Sequence, residues 1–403
     1  MNVTTEPGTA EVFEAADLER RRISDGIRYC LQVFVGVRLG LFVLGLLAIA
    51  VVPSLDPVSV PGWPAHSLPD PGWHNLFTVW ERFDALWFLR IAAQGYRATD
   101  GSAAFFPLFP LAVRAISFLI GGHPLAAGFI VSNLSILGAL IVLYFLTTSE
   151  SSERAARTTV LFLALFPTSF FFFMPYSESL FLLFAVTAFW AARRDRWLLA
   201  AMAAALAAAT RSVGIVLVPA LAVEALHQWR ERGVRLAPRV AAAAFAATGT
   251  VAYLAYWAAK TGDWLAPVDQ QVNWERHASW PWATLLQGTR FAFRYLGDTN
   301  GGYWLIDWVI VVPILAVSAY AVSRMRPSYS VYLWGGLLIP LSFIFEDRPL
   351  MSMPRFVLPL FPAFWGLTLA AERLHIPRVA VVAVGAAGLG LLVVLSVNWY
   401  YIF

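Results

Sequence analysis

Apolar stretches recur along the chain near residues 29–53, 124–148, 156–174, 177–193, 196–210, 212–228, 239–260, 303–322, 330–345, 355–371 and 378–397. A helix crosses the hydrocarbon core of a bilayer with about 20 apolar residues, so these eleven stretches predict an all-α polytopic membrane protein of about eleven spans. Two long stretches between them, 54–123 and 261–302, are rich in Trp, Pro and Gly. The expected organisation is a polar tail over 1–28 followed by a single transmembrane domain over 29–403. The apolar run over 32–52 exceeds the apolar part of a secretory signal and is expected to stay as an anchor.

Composition agrees with this pattern. Of the 403 residues 59% are hydrophobic and 13% charged, and the mean hydropathy is +0.65. Soluble domains carry about 25% charged residues. The net charge of +4 comes from arginine, Lys260 being the one lysine. These arginines sit mainly in short loops between apolar runs, which assigns them to topology rather than to nucleic acid. One cysteine, Cys30, excludes an internal disulfide and a Cys-based zinc site.

Orientation follows from those loops. With the N-terminus in the cytoplasm, Arg20, Arg21, Arg22 and Arg28 lie inside, and so do Arg154 and Arg157, Arg193, Arg194 and Arg196, Arg230 to Arg239, Arg324 and Arg326, and Arg373 and Arg378. The alternation holds only if FFPLFPLAVRAISFLIG at 105–121 does not cross. That segment, with Pro107 and Pro110 at its start, reads as an interfacial or re-entrant helix. The Ala- and Arg-rich, lysine-poor composition points to a bacterial plasma membrane.

The opposite, extracytoplasmic face then holds both long stretches and three tight connections, PYSES at 175–179, TRSVG at 210–214 and EDRPLMSMPR at 346–355. Arg211, Arg348 and Arg355 break the positive-inside trend there, and Asp84, Glu178, Glu346 and Asp347 share the face. Each has a plain alternative: a solvated acid or helix cap for Asp84, a helix start for Glu178, snorkelling for the arginines. Together, forked donors suited to phosphate oxygens and a carboxylate able to accept a proton fit group transfer from a lipid phosphate. Asp84 lies in WERFDALWFLRIAAQGY, where Phe83, Leu86, Trp87, Arg90, Ile91 and Gln94 recur at helical spacing, as in an amphipathic helix on the membrane. Neither HExxH nor a Walker loop is present, nor GxGxxG after a strand, nor a DxD triplet, which disfavours a nucleotide donor held in a soluble domain. His277 reads as structural, and His66, His74 and His123 show no metal-ligand spacing. No metal site and no required cofactor are expected, and nothing in the sequence supports a divalent cation.

The run from Phe83 to Pro110, followed by PTSFFFFMPYSESLFLLF at 167–184, TRSVG at 210–214 and RPLMSMPRFVLPLFP at 348–362, resembles the phosphatidylinositol-glycan class V (PIG-V) mannosyltransferase family. The resemblance implies the GT-C architecture, a multispanning bundle with interfacial helices and a catalytic aspartate in its first extracytoplasmic loop. It also implies a polyprenyl- or dolichyl-phosphate mannose donor and inversion at the anomeric carbon. Asp84 matches the family's aspartate, Tyr176 and Glu178 its YSE core, Arg211 the neighbouring motif and Arg355 the late arginine. Phe83 stands where the family usually has Trp, which removes an indole N–H.

Asp84 is therefore expected as the base. Arg211, Arg355 and Arg348 are expected at the donor phosphate, and Tyr176, Glu178, Asp347 and Trp87 at the sugar or acceptor. The expected partners are a polyprenyl-phosphate sugar, a glycolipid or glycan acceptor and the bilayer. QQVNWERHASW at 270–280 is the stretch expected to shape the acceptor site. The alternatives are a transporter or lipid flippase, which Arg38 inside the first span keeps open, and a structural protein.

Overall fold

The helix that carries the first apolar segment starts well before residue 29. Helix α1 runs unbroken over Thr9–Val51, about 65 Å at 1.5 Å per residue and roughly twice a hydrocarbon core, so the expected tail is helical from Thr9 onward. The computed structural model describes residues 9–63, 74–298 and 302–402. Residues 1–8 of the tail, and 64–73 and 299–301 of the two long stretches, lie outside the described residues.

The first long stretch holds α2 (Asn75–Thr78), α3 (Asp84–Gln94) and α4 (Leu108–Leu119). Helix α3 stops at Gly95, whose φ of 80° suits glycine. Helix α4 begins against Pro107 and Pro110, and its 12 residues extend about 18 Å, short of the ~30 Å a spanning helix needs. The central bundle follows as α5 (Pro124–Glu150), α6 (Glu153–Ala164), α7 (Glu178–Arg193), α8 (Trp197–Thr210), α9 (Leu217–Arg232), α10 (Leu236–Phe245) and α11 (Thr248–Thr261). The second long stretch holds α12 (Ala266–Asp269) and α13 (Pro281–Arg294). The chain continues through α14 (Gly302–Val322), α15 (Pro327–Leu341), α16 (Met353–Phe356), α17 (Phe361–Arg373) and α18 (Arg378–Val397).

Among the described residues, six helical stretches are long and apolar enough to cross a membrane: 17–51, 124–150, 212–232, 236–261, 302–322 and 378–397. Two of the other apolar runs are divided because proline interrupts them. The stretch expected as one helix over 156–174 stops at Ala164, two residues before the proline-restricted Phe166, and continues as a turn and a 3-10 segment over Ser169–Phe172. The stretch over 355–371 likewise divides between α16 and α17 on either side of Pro359. One departure from an all-α chain is a two-stranded antiparallel sheet, β1 (Arg276–Ala278) on β2 (Phe343–Phe345), pairing Arg276 with Phe345 and Ala278 with Phe343. The aromatic and β-branched FIF run favours extended backbone. It draws the second long stretch onto the end of α15.

Helix α7 is apolar around most of its circumference and mostly buried, the pattern of a helix enclosed by others. It packs against α5 and α8. Helix α8, WLLAAMAAALAAAT, presents small side chains that let neighbouring backbones approach. Helix α11 exploits this: a Cβ on Gly249 would fall on the Ala205 carbonyl oxygen and within 2.6 Å of the Ala209 nitrogen. Gly249→Ala is expected to push α8 and α11 apart at a cost of about 1–3 kcal/mol, read as a lower thermal midpoint in detergent. Gly390→Ala, which meets nothing within 4 Å, is expected to leave that midpoint unchanged.

Candidate active site

Two helix starts bring acids to one place. Asp84 is the first residue of α3 and Glu178 the first of α7, where the aligned peptide dipoles favour negative charge. Arg355 on α16 lies between them, with Nη1 at 2.5 Å from Asp84 Oδ2 and Nε at 3.4 Å from Glu178 Oε1. Arg211, just past the end of α8, reaches Glu178 Oε1 at 2.5 Å and donates to Ser177 Oγ at 3.1 Å. The order Asp84, Arg355, Glu178, Arg211 therefore alternates in charge.

These residues line a cavity of about 440 Å³ together with Phe88, Phe105, Trp274, Arg276, Ser352, Phe356 and Tyr401, within the range of small-molecule sites. Asp84 keeps 22% of its side chain exposed, so the carboxylate is reachable. Glu178 is fully buried. Although two guanidiniums stand close to it, neither of its oxygens receives an aligned hydrogen bond. Buried carboxylate oxygens are ordinarily hydrogen-bonded, so Glu178 has acceptor capacity to offer a ligand.

The Phe356 ring organises the cations. The guanidiniums of Arg211, Arg276 and Arg355 lie 5.4, 5.2 and 5.3 Å from its centroid, inside the range of cation–π attraction. Arg276 comes from β1. Burial, and after it the neighbouring Arg355 charge, push its guanidinium below the usual arginine range, to about 10, still charged at neutral pH. Glu275 beside it is exposed and carries a left-handed φ of 53°.

The backbone under Asp84 is fixed by Tyr176. The tyrosine hydroxyl accepts from the Asp84 N–H at 3.1 Å and donates to the Arg82 carbonyl at 3.0 Å, bridging the residue between them. That residue, Phe83, adopts φ 53° and ψ −120°, a region costly for a bulky side chain. Tyr176 is buried, and its hydroxyl faces backbone rather than the cavity. Burial, followed by the Asp84 charge, holds the phenol well above its usual range, so it stays a donor.

The residues expected at the site therefore divide. Asp84, Glu178, Arg211 and Arg355 converge on the cavity. Tyr176 supports it from behind. Trp87 stacks on Phe105 at 5.6 Å and meets Trp274 edge-on at 5.3 Å, standing behind two wall residues without lining the cavity itself. Asp347 is exposed and away from the lining, its carbonyl accepting from Trp304 at 2.7 Å. Arg348 is buried and turned elsewhere: it grips Asp307 through two bonds of 2.6 and 2.8 Å and the carbonyls of Tyr401 and Ile402 at 2.9 and 2.5 Å. A guanidinium so occupied is not presented to a phosphate in the cavity. Arg276, Phe356 and Tyr401 were not singled out from sequence. NWERHASW signalled its region through its Trp and charges, whereas WYYIF after the last apolar run reads like an ordinary aromatic belt.

A family model described as Mannosyltransferase (PIG-V) matches residues 34–249, just over half of the chain. That span includes Asp84, Tyr176, Glu178 and Arg211 and ends before Arg276, Arg348 and Arg355. No curated protein matches. Among solved structures, ArnT from Cupriavidus metallidurans bound to undecaprenyl phosphate is 16% identical with a TM-score of 0.47, covering 92% of this chain and 76% of that one. The Archaeoglobus fulgidus oligosaccharyltransferase in complex with Zn and sulfate is 14% identical with a TM-score of 0.42, covering 92% and 53%. The archaeal oligosaccharyltransferase AglB from Archaeoglobus fulgidus in complex with an inhibitory peptide and a dolichol-phosphate is 12% identical with a TM-score of 0.37, covering 91% and 55%.

Tyr176→Phe is expected to leave the Asp84 N–H and the Arg82 carbonyl without their shared partner. The cost is about 1–3 kcal/mol, measurable as a lower unfolding midpoint. An unchanged midpoint would remove Tyr176 as the clamp on Phe83.

Proposed function

The chain belongs to the Mannosyltransferase (PIG-V) family, and from that premise we propose that it transfers mannose from a polyprenyl-phosphate donor to a hydroxyl group of a glycolipid, lipoglycan or secreted polymer. It is a membrane glycosyltransferase. The observation that carries the finer reading is the alternation of Asp84, Arg355, Glu178 and Arg211 at the wall of one cavity, with Arg276 completing a trio of guanidiniums on Phe356.

In this reading the acceptor hydroxyl gives its proton to Asp84 as its oxygen attacks the anomeric carbon. The bond from that carbon to the phosphate oxygen breaks, and the electron pair leaves with the phosphate. Arg355, Arg211 and Arg276 neutralise the charge that develops there. Asp84 and the leaving phosphate act on opposite faces of the sugar, so the configuration inverts. Arg355 exchanges its bond to Asp84 for one to the donor phosphate, which frees the carboxylate when the donor is in place. Glu178, whose oxygens lack an aligned hydrogen bond, accepts sugar hydroxyls.

A second cavity of about 430 Å³ supports a lipid-linked donor. It is lined largely by apolar side chains, among them Ile91, Pro110, Leu111, Ala252 and Tyr253. It adjoins the first along three elements, because Phe88, Phe106 and Thr210 of one cavity neighbour Ile91, Pro107 and Ala209 of the other. The site opens, in this reading, on the extracytoplasmic side of a bacterial plasma membrane. The transporter alternative loses its one specific support: Arg38 donates to Asn133 at 3.0 Å and to the Phe172 carbonyl at 3.4 Å and lies over the Phe34 ring, which accounts for it as packing between helices.

Asp84→Asn is expected to lower transfer of labelled mannose by at least about a hundredfold while the protein stays folded. Arg276→Ala is expected to raise the donor KM more than it lowers kcat. Full activity in folded Asp84→Asn protein would sink the assignment of the base. Wild-type protein inactive across a panel of polyprenyl-phosphate sugars would sink the donor.

A further inference from the structure

Beyond α18 the chain is held at almost every residue. The Asn398 side chain is fully buried; it donates to the Ala48 and Val394 carbonyls and accepts from Ser54 at 2.8 Å, and its own carbonyl accepts from the Leu55 N–H. Trp399 takes a left-handed φ of 65°, lies 3% exposed, and has the Arg82 guanidinium 4.4 Å above its ring. The carbonyls of Tyr401 and Ile402 both accept from Arg348, which Asp307 fixes in turn. Between these anchors the Tyr401 ring is turned outward. It is 45% exposed, lines the cavity and packs edge-on against Phe83 at 5.4 Å. Phe83 immediately precedes Asp84 and also packs on Trp399 at 5.5 Å.

We propose that residues 398–402 form a fixed wall of the active site, that Tyr401 contacts the transferred hexose, and that Arg348 and Asp307 are positioning residues acting through it. The proposal rests on the donor reading above. A tyrosine on an unanchored segment would waste its contact energy on being ordered. Here the ordering has been done beforehand, by a buried ion pair holding two consecutive carbonyls. A phenol offers an apolar face for a sugar ring and a hydroxyl that both donates and accepts. Its place fits the transferred residue: the guanidinium trio sets where phosphate lies, Asp84 sets where the acceptor hydroxyl lies, and the hexose must occupy the space between them, which Tyr401 borders. Partial burial, and after it the Asp84 charge, raise the Tyr401 phenol above its usual range, so it keeps its proton. This also explains why an arginine expected at the donor phosphate does not reach it: its influence on the cavity passes through the backbone it holds.

The test compares wild type, Tyr401→Phe, Tyr401→Ala and the paired Asp307→Leu/Arg348→Met variant. The pair removes both charges together, so that no unpaired ion stays buried. Transfer from polyprenyl-phosphate mannose and amide hydrogen exchange over 395–402 are measured on each. Tyr401→Ala is expected to weaken donor KM by about tenfold with exchange unchanged, and Tyr401→Phe by less. The paired variant is expected to exchange faster over 399–402 and to lose a similar factor, with no further loss when Tyr401→Ala is added. An active wild type with a fully active Tyr401→Ala overturns the contact. Exchange as slow in the folded paired variant as in wild type overturns the latch. A wild type that uses no polyprenyl-phosphate sugar overturns the donor reading and the hexose contact with it.

Discussion

Arg355 is where widely separated parts of the chain are tied together, and most of the site's geometry follows from how its charge is met. A carboxylate withdrawn from water in an apolar bundle is costly unless a cation answers it. Asp84 and Glu178 are both answered by this one side chain, and Arg211 adds a second cation to Glu178. Meeting that demand fixes α3, α7, the end of α8 and α16 relative to one another. In the proposed reaction a bound phosphate would compete for the guanidiniums and release Asp84.

The backbone around the cavity is correspondingly irregular. Phe83, Glu275 and Ser352 all have left-handed φ values, of 53°, 53° and 65°; Phe83 directly precedes Asp84, and the other two border the cavity. Such conformations persist where the surroundings over-determine them, and here the surroundings are visible. Tyr176 spans Phe83, the β1–β2 sheet holds the segment that follows Glu275, and the Ser352 carbonyl accepts from the N–H groups of Arg355 and Phe356. Strain is concentrated where side chains must be aimed.

The far end of the same helices carries a different kind of network. Arg193 ends α7 about 23 Å from its start at Glu178. It pairs with Glu150 and Glu224, and Glu224 also accepts from Ser328 and Gln228. That network joins α5, α7, α9 and α15, with the Glu224 carboxylate buried and its oxygens satisfied. The oxygens of Glu178 at the other end lack aligned donors. One end of α7 is closed by its hydrogen bonds, and the other meets the cavity with a carboxylate held by ion pairs alone.

The sequence by itself determined the helical, membrane-embedded character of the chain, because hydrophobic runs report directly on what a segment can bury. It also singled out Asp84, Glu178, Arg211 and Arg355, since charge is so scarce here that each exception stands out. Proline signalled breaks but not their consequences, so the stretch over 156–174 reads as one helix although it holds a helix, a turn and a 3-10 segment. What only the tertiary structure decided is which of several similar residues faces the cavity. Arg348 and Arg355 lie seven residues apart in one loop with the same motif context, yet one grips Asp307 and the backbone of residues 401 and 402 while the other faces Asp84. Arg276 enters through a strand pairing, and Tyr401 through a latch between residues more than fifty positions apart. Those choices depend on contacts between distant segments, and a pattern read along the chain carries no information about which distant group will meet a given side chain.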